Sequence, residues 1–193
     1  MSGNIFTKPS KTFKENLEAP NMIVAFLIVL IVSIVFGSIF YLGTQGNLIV
    51  TLIVIATSII QWLVLSVIYY IFEFMFSDKK RAQIKTNFPG IITATGSLWL
   101  MMLVLQIFLG IALIGGIITA IAGLVAMIIL VLILVNSFIL MKVILDSSNT
   151  RVFIAWILAI AVYLLLLTIA SKQNLPMNNH LLLTGCHLMK EIN

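Results

Sequence analysis

The hydrophobic pattern of the chain consists of long apolar runs separated by short polar stretches. The first two runs cover residues 22–42 and 48–72, and the uncharged turn residues 43–47 lie between them. A helix needs roughly 20 apolar residues to cross the hydrocarbon core of a bilayer. Each run is therefore predicted to be one membrane-spanning helix.

The longest apolar run, residues 90–141, contains no ionisable side chain. A single helix of this length would extend about 78 Å, at a rise of about 1.5 Å per residue. The hydrocarbon core is only about 30 Å thick, so the run must contain two spans. Gly110 and the pair Gly115-Gly116 lie near its middle, and glycine weakens a helix interior. We predict spans at 91–110 and 116–141.

A fifth apolar run, 152–170, follows the polar stretch KVILDSSNTR. The expected fold is an all-α, polytopic transmembrane bundle of five spans over residues 22–170. A cytosolic segment, 1–21, precedes it and a polar tail, 171–193, follows it. A count of four spans, with one segment re-entrant or interfacial, is the alternative, and the boundary at 110–116 is the weakest of the five-span interpretation.

The stretch KPSKTFKENLEAPN, residues 8–21, has the features of a short helix on the membrane surface. Thr12 and Glu15 have the spacing of a capping box, in which each side chain satisfies a free backbone N–H at a helix start. Phe13 and Leu17 are four residues apart and share one helix face. We expect this face to enter the lipid while the lysines meet anionic head groups. The alternative is a solvated leader whose lysines only set the topology.

Basic residues on the same side of the membrane extend this candidate contact surface. The segment between the second and third spans contains the densest basic cluster in the chain. The candidates for contact with lipid or a cytosolic partner are Lys11, Phe13, Lys14, Lys79, Lys80, Arg81 and Lys85.

The composition supports the membrane assignment and excludes several other classes. Hydrophobic residues make up 62% of the chain and charged residues 9%, whereas soluble domains have roughly 45–50% and about 25%. No basic face interleaved with aromatic residues is present, so nucleic acid is not an expected partner. The first run is longer than the about 7–15 residues of a signal-peptide core, which predicts that it is retained. The expected partners are the lipid bilayer and either other membrane proteins or further copies of the chain.

The positions of the positive charges predict the orientation. Of the 11 Lys and Arg residues, all but Lys172 and Lys190 lie in the segments 1–21, 73–90 and 142–151. With five spans, these three segments face the same side. Lys and Arg accumulate in short cytoplasmic loops. We therefore expect a cytoplasmic N-terminus and an outer C-terminus, in the cell membrane if the source is a prokaryote.

The sequence offers no recognisable catalytic chemistry. The five predicted spans contain no acidic, basic or histidine residue, and no metalloprotease, hydrolase or phosphate-binding motif is present. The single cysteine, Cys186, and the two histidines, His180 and His187, lack zinc-site spacing. We therefore expect a protein that is not an enzyme and has no cofactor or metal; an intramembrane enzyme is the weakest of three hypotheses.

Uncharged polar residues inside the spans form a second group of candidates. Gln61, Gln106 and Asn136 lie in three different predicted spans. They either form hydrogen bonds between helices or line a polar path through the bundle. The first interpretation is favoured unless the three amides converge on one cavity.

Small residues repeat every four positions around the start of the fourth span. Such ridges let helix backbones approach closely, within one bundle or between copies of a chain. Packing within the bundle is the favoured interpretation. The two ridges consist of Ala112, Gly116 and Ala120, and of Gly115, Thr119 and Gly123.

Residues 8–170 resemble the prokaryotic members of the YIP1-domain family. The similar features are a P-x-x-T-F segment at residues 9–13, a proline before the first span, five spans, a basic loop after the second span and a glycine-rich turn after the third. The resemblance implies a non-enzymatic, membrane-organising protein of the scaffold or trafficking type. The long N-terminal region of the eukaryotic members, which are linked to small GTPases, is absent. The alternative function is a small transporter or channel subunit, with the three amides lining its path.

Overall fold

A computed structural model describes residues 5–43, 46–78, 87–112 and 116–173, and in these ranges the chain forms six helices and no strand. The expected all-α fold is confirmed. The helices are α1 (Pro9–Glu18), α2 (Met22–Gly43), α3 (Leu48–Phe76), α4 (Phe88–Ala112), α5 (Gly116–Leu145) and α6 (Asn149–Gln173).

The helices α2 to α6 are each long and apolar enough to cross a membrane, as the five-span interpretation requires. The chain is an integral membrane protein. Large apolar side chains cover the outer faces of these helices, such as Leu124 and Met127 on α5. In water such a surface would be unstable, whereas lipid is a suitable solvent for it.

The spanning helices continue beyond the predicted spans at one end of the bundle. This end, where α1 lies, is called the α1 end; α3 and α5 end there, and α2, α4 and α6 begin there. There α3 continues to Phe76 rather than residue 72, and α5 to Leu145 rather than 141. Backbone hydrogen bonds close these last turns, for example from Ser77 N to Glu73 O. An apolar run marks the extent of the hydrocarbon core, and a helix can continue past it.

Helix α4 is the centre of the bundle. It packs against α1, α2, α3 and α5, while α6 packs against α3 and α5. Every residue from 90 to 99 is buried. In its most apolar stretch 61% of the residues are buried, against 17–28% in the other four spanning helices. Because neighbours surround it, this helix tolerates more Thr, Ser and Gly than a lipid-facing helix.

Close contacts between helices occur at glycines of α2 and α4. A Cβ atom added at Gly96 would lie 2.7 Å from Ala25 Cβ and 3.1 Å from Ala25 Cα, and one added at Gly37 would lie 2.6 Å from a side-chain carbon of Ile55. Helices in lipid gain little from excluding apolar surface, so close packing and hydrogen bonds determine their association. The predicted break at 110–116 is confirmed within two residues: Gly110 still belongs to α4 and faces Ile39, α4 ends at Ala112, and α5 begins at Gly116.

The small residues of the predicted ridges do not form the packing face of α5. Thr119 and Ala120 are exposed, and a Cβ atom added at Gly123 would meet none of the described atoms within 4 Å. The buried small residues of α5 are Ala122 and Ala126. The prediction that the ridges pack within the bundle is therefore wrong for Thr119, Ala120 and Gly123. Gly115 lies outside the described residues.

Candidate functional site

The α1 helix is held in the bundle by a face that combines one aromatic residue with two polar ones. Thr12, Phe13 and Asn16 are buried. Phe13 is fully buried in the main apolar core, in the same cluster as Leu140 and Ile144 of α5. The Asn16 side-chain amide donates a hydrogen bond to Ser97 Oγ of α4 over 2.7 Å.

A glycine of α4 provides the space for this docking. A Cβ atom added at Gly90 would lie 2.9 Å from Leu17 Cα and 3.0 Å from Leu17 O. Gly90 and Ser97 are seven residues apart, so they lie on the same face of α4. This face of α4 therefore accommodates the C-terminal half of α1.

These contacts show that two expectations for α1 are wrong. The helix is present, but Phe13 does not contact lipid, because α4 and α5 enclose it. Thr12 is not a cap either: the helix begins at Pro9, and the Thr12 hydroxyl donates to Lys8 O. The spacing of Phe13 and Leu17 indicates an apolar face but not whether lipid or protein covers it.

The opposite face of α1 is exposed and carries charges of both signs. Lys8, Lys11 and Lys14 are exposed, and Lys11 Nζ lies 3.8 Å from Glu15 Oε1. The other basic candidates, Lys79, Lys80, Arg81 and Lys85, lie outside the described residues. The part of the candidate surface that the structure describes is therefore the exposed face of α1.

A crevice of about 340 Å³ lies where α1, the start of α4 and the end of α5 meet. Its charged lining consists of Lys14 and Glu18 from α1 and Asp146 from the residue after α5. Among the described residues, none of these three side chains forms an ion pair. Leu17 and Val143 give the crevice an apolar part.

Asn87, which also lines this crevice, connects it to a buried carboxyl group. The Asn87 side-chain amide donates to Glu73 Oε1 over 2.8 Å, and Glu73 is fully buried. The predicted second span ends at residue 72, so the sequence places Glu73 just beyond it. In the structure α3 extends past residue 72 and includes Glu73.

Two contacts join the end of α3 to the connection between α5 and α6. Ser77 Oγ donates to Leu145 O over 3.0 Å. The Asp78 carboxylate accepts hydrogen bonds from Ser147 Oγ and from the Arg151 guanidinium. The bond from Ser77 to Leu145 is partly buried, whereas the contacts of Asp78 are exposed, so together they position the helix ends without forming an enclosed site.

The three intramembrane amides lie at different depths in the bundle. Trp62 Nε1 donates to Thr95 Oγ1, which puts Gln61 at the level of Thr95. Gln106 follows Thr95 by eleven residues on α4, which places it about 16 Å from the level of Gln61, toward the end of the bundle opposite α1. Tyr69 OH donates to Ser137 O, so Asn136 lies about 12 Å from Gln61 toward the α1 end.

These depths show that the three amides do not form one cluster. Asn136 Nδ2 bonds to Leu132 O in its own helix. In the part of the chain that the structure describes, the buried oxygens Asn136 Oδ1 and Gln106 Oε1 have no hydrogen-bond partner. Each amide is therefore a separate polar position.

The sequence did not indicate the polar contact that joins α3 and α4 at mid-depth. Trp62 Nε1 lies 3.2 Å from Thr95 Oγ1, and Ser66 Oγ lies 2.7 Å from the same oxygen. The only indication in the sequence was the presence of Thr93, Thr95 and Ser97 within one span, which is typical of a helix surrounded by other helices. The residues opposite these hydroxyls could not be assigned without the helix register.

The described ranges, from residue 5 to 173 with their gaps, contain no group of three or more His, Cys, Asp or Glu side chains that could hold a metal ion. No protein-family model, curated protein sequence or solved structure matches the chain. The resemblance to the YIP1 family therefore has no independent support and stays a hypothesis.

Proposed function

We propose that this chain is a non-enzymatic scaffold of the membrane, similar in type to the YIP1 family, which contacts its partners through the α1 end. The main support is the docking of α1. Because Phe13 and the bond from Asn16 to Ser97 fix the helix, Lys8, Lys11 and Lys14 have a defined arrangement at one end of the bundle.

The proposal assigns the α1 end to the cytoplasm. Lys142, in the last turn of α5, and Arg151, at the start of α6, belong to the same end as the lysines of α1. Short cytoplasmic loops are enriched in Lys and Arg. If the source is a prokaryote, the membrane is the cell membrane.

The separation of the amides favours a scaffold over a transporter. A polar path needs closely spaced polar groups across the membrane, whereas the successive amides Asn136, Gln61 and Gln106 are separated in depth by gaps of about 12 and about 16 Å. The hydroxyls of Thr93 and Ser97 donate to carbonyls of α4 itself. These polar groups therefore serve interactions inside the bundle.

The orientation can be tested with two single-cysteine variants in a Cys186→Ser background. Lys11→Cys lies on the exposed face of α1, and Asn47→Cys is exposed just before α3, at the opposite end of the bundle and outside the predicted spans. A membrane-impermeant maleimide should label position 47 in intact cells, and position 11 only after the membrane is opened. Labelling of position 11 in intact cells would reverse the assignment.

The scaffold role can be tested by photo-crosslinking in the native membrane. A photoreactive residue at position 11 should yield discrete protein adducts. The matched control is position 124 on the lipid-facing side of α5, where the Leu124 side chain is 64% exposed. Adducts with lipid alone at both positions would contradict the proposal.

A transporter or channel subunit is the second candidate, and the unpartnered buried oxygens of Gln106 and Asn136 favour it. Single cysteines at positions 61, 106 and 136, again without Cys186, would distinguish the two functions. A polar path predicts that a water-soluble thiol reagent reaches all three, as it reaches the control at position 47. Uniform protection of the three positions would exclude a path.

A further inference from the structure

The crevice between α1, α4 and α5 has unpaired charges of both signs in its lining. Lys14 provides a cation, and Glu18 and Asp146 provide carboxylates. Lys14 and Glu18 are four residues apart on a helix, a spacing at which ion pairs are common, yet no ion pair forms between them. The two signs are therefore available to a ligand that carries both.

Uncharged groups complete the crevice. The Asn87 amide nitrogen is engaged by Glu73, which leaves the amide oxygen to accept a hydrogen bond. Leu17 and Val143 provide an apolar surface beside the polar groups. The volume, about 340 Å³, is within the range of small-molecule sites.

The position of the crevice indicates where such a ligand would come from. Asn87 immediately precedes α4 and Asp146 immediately follows α5, so the crevice lies where spanning helices begin and end. This is the level at which a bilayer presents its head groups. A ligand with a phosphate, an ammonium group and acyl chains fits both the location and the lining.

We propose that this crevice binds the head group of phosphatidylethanolamine. The phosphate pairs with the Lys14 ammonium group, and the ethanolamine ammonium donates hydrogen bonds to Glu18 and Asp146. Because Lys14 and Glu18 belong to α1 and Asp146 follows α5, the lipid bridges the two elements and stabilises the docked α1. The inference goes beyond the proposed function, since it requires the bundle and a lipid but no partner protein.

The discriminating comparison is between phosphatidylethanolamine and phosphatidylcholine, whose methylated ammonium has no N–H to donate. We expect the purified protein to retain phosphatidylethanolamine about tenfold more strongly, as measured by native mass spectrometry from mixed micelles, because its ammonium donates hydrogen bonds to charged acceptors. Phosphatidylglycerol, which lacks the ammonium group, should behave like phosphatidylcholine. Equal retention of all three lipids would overturn the proposal.

Substitutions that keep side-chain size identify the groups. Glu18→Gln and Asp146→Asn should reduce the retention of phosphatidylethanolamine to that of phosphatidylcholine, and Lys14→Met should weaken the retention of both. The matched controls are Glu15→Gln on α1 and Lys8→Met just before it, which remove charges of the same signs outside the crevice. If these controls lower the retention as much as the crevice variants, the crevice is not the site.

A second measurement follows α1 itself and separates the lipid from its soluble head group. Trypsin should cleave after Lys11 more slowly, about threefold or more, when phosphatidylethanolamine is present, since a ligand of the docked state stabilises that state. Equal protection by free phosphoethanolamine at the same concentration would overturn the assignment to a lipid. The absence of any protection would overturn the bridge between α1 and α5.

Discussion

The Asn16 side-chain amide donates a hydrogen bond to Ser97 Oγ over 2.7 Å, although 81 residues separate the two in sequence. Both side chains are buried, and Ser97 Oγ in turn donates to Thr93 O within α4. The contact pairs the buried polar group of α1 with α4 and fixes the position of α1 along that helix. Without it, two polar groups would be buried away from water, which is costly.

The coupling between Asn16 and Ser97 is the first testable consequence. In a double-mutant cycle with Asn16→Ala and Ser97→Ala, we expect an interaction free energy of about 0.5–1.5 kcal/mol, typical of an intramolecular hydrogen bond. Unfolding of the detergent-solubilised protein by SDS provides the measurement. Ser10→Ala, on the exposed face of α1, should change the stability little, and strictly additive effects of the first two variants would contradict the contact.

Phe13 should contribute more to the docking of α1 than any other residue. Removal of a buried aromatic side chain from a protein core costs about 3–5 kcal/mol, and Phe13 is fully buried. We expect Phe13→Ala to release α1 and to accelerate tryptic cleavage after Lys11 and Lys14. The matched control is Phe6→Ala, because Phe6 is 53% exposed. Equal cleavage rates for the two variants would show that Phe13 does not hold the helix.

The expected position of α1, on the lipid surface, and its observed position, against α4 and α5, show which features of the fold a sequence pattern determines. The apolar runs predicted the five spans, because a bilayer requires long stretches without charge. The spacing of Phe13 and Leu17 predicted an apolar helix face. Lipid and a groove between helices are equally apolar, so the pattern did not reveal that α4 and α5 cover Phe13.

Gly96 should tolerate substitution much less than Gly123. A methyl group at Gly96 would lie 3.1 Å from Ala25 Cα, so relief of the contact requires a shift of the α2 backbone. We expect Gly96→Ala to destabilise the bundle by about 1–3 kcal/mol, typical of overpacking. At Gly123, where a Cβ atom would meet none of the described atoms within 4 Å, alanine should be neutral or stabilise by up to about 1 kcal/mol through helix propensity. SDS unfolding compares the two variants, and similar effects would contradict the packing of α2 on α4.

The same pair of glycines explains why the packing residues were not predicted. A repeat of small residues every four positions identifies a smooth helix face, and α5 has such a face at Thr119 and Ala120. Whether another helix lies against that face depends on the arrangement of the bundle. Gly96 has no such repeat, and only its distance from Ala25 reveals its role.

The hydrogen bond from Asn87 to Glu73 should stabilise the α1 end more than the ion pair between Asp78 and Arg151. Glu73 is fully buried, so the loss of one donor is not replaced by water, and hydrogen bonds of this kind contribute about 1–3 kcal/mol. Asp78 and Arg151 have side chains that are 61% and 58% exposed, and exposed pairs contribute about 0–1 kcal/mol and are screened by salt. We therefore expect Asn87→Ala to lower the stability to SDS unfolding clearly at any ionic strength.

Arg151→Ala is the matched comparison at the same end of the bundle. Its effect should be small, because water and counterions replace the guanidinium as the partner of the exposed Asp78 carboxylate, and it should decrease further in high salt, which screens the original pair. The Ser147 hydroxyl still donates to Asp78 in this variant, which keeps the connection between α3 and the α5–α6 turn. A larger effect for Arg151→Ala than for Asn87→Ala would mean that the helix ends are held from the surface rather than from the buried carboxyl group.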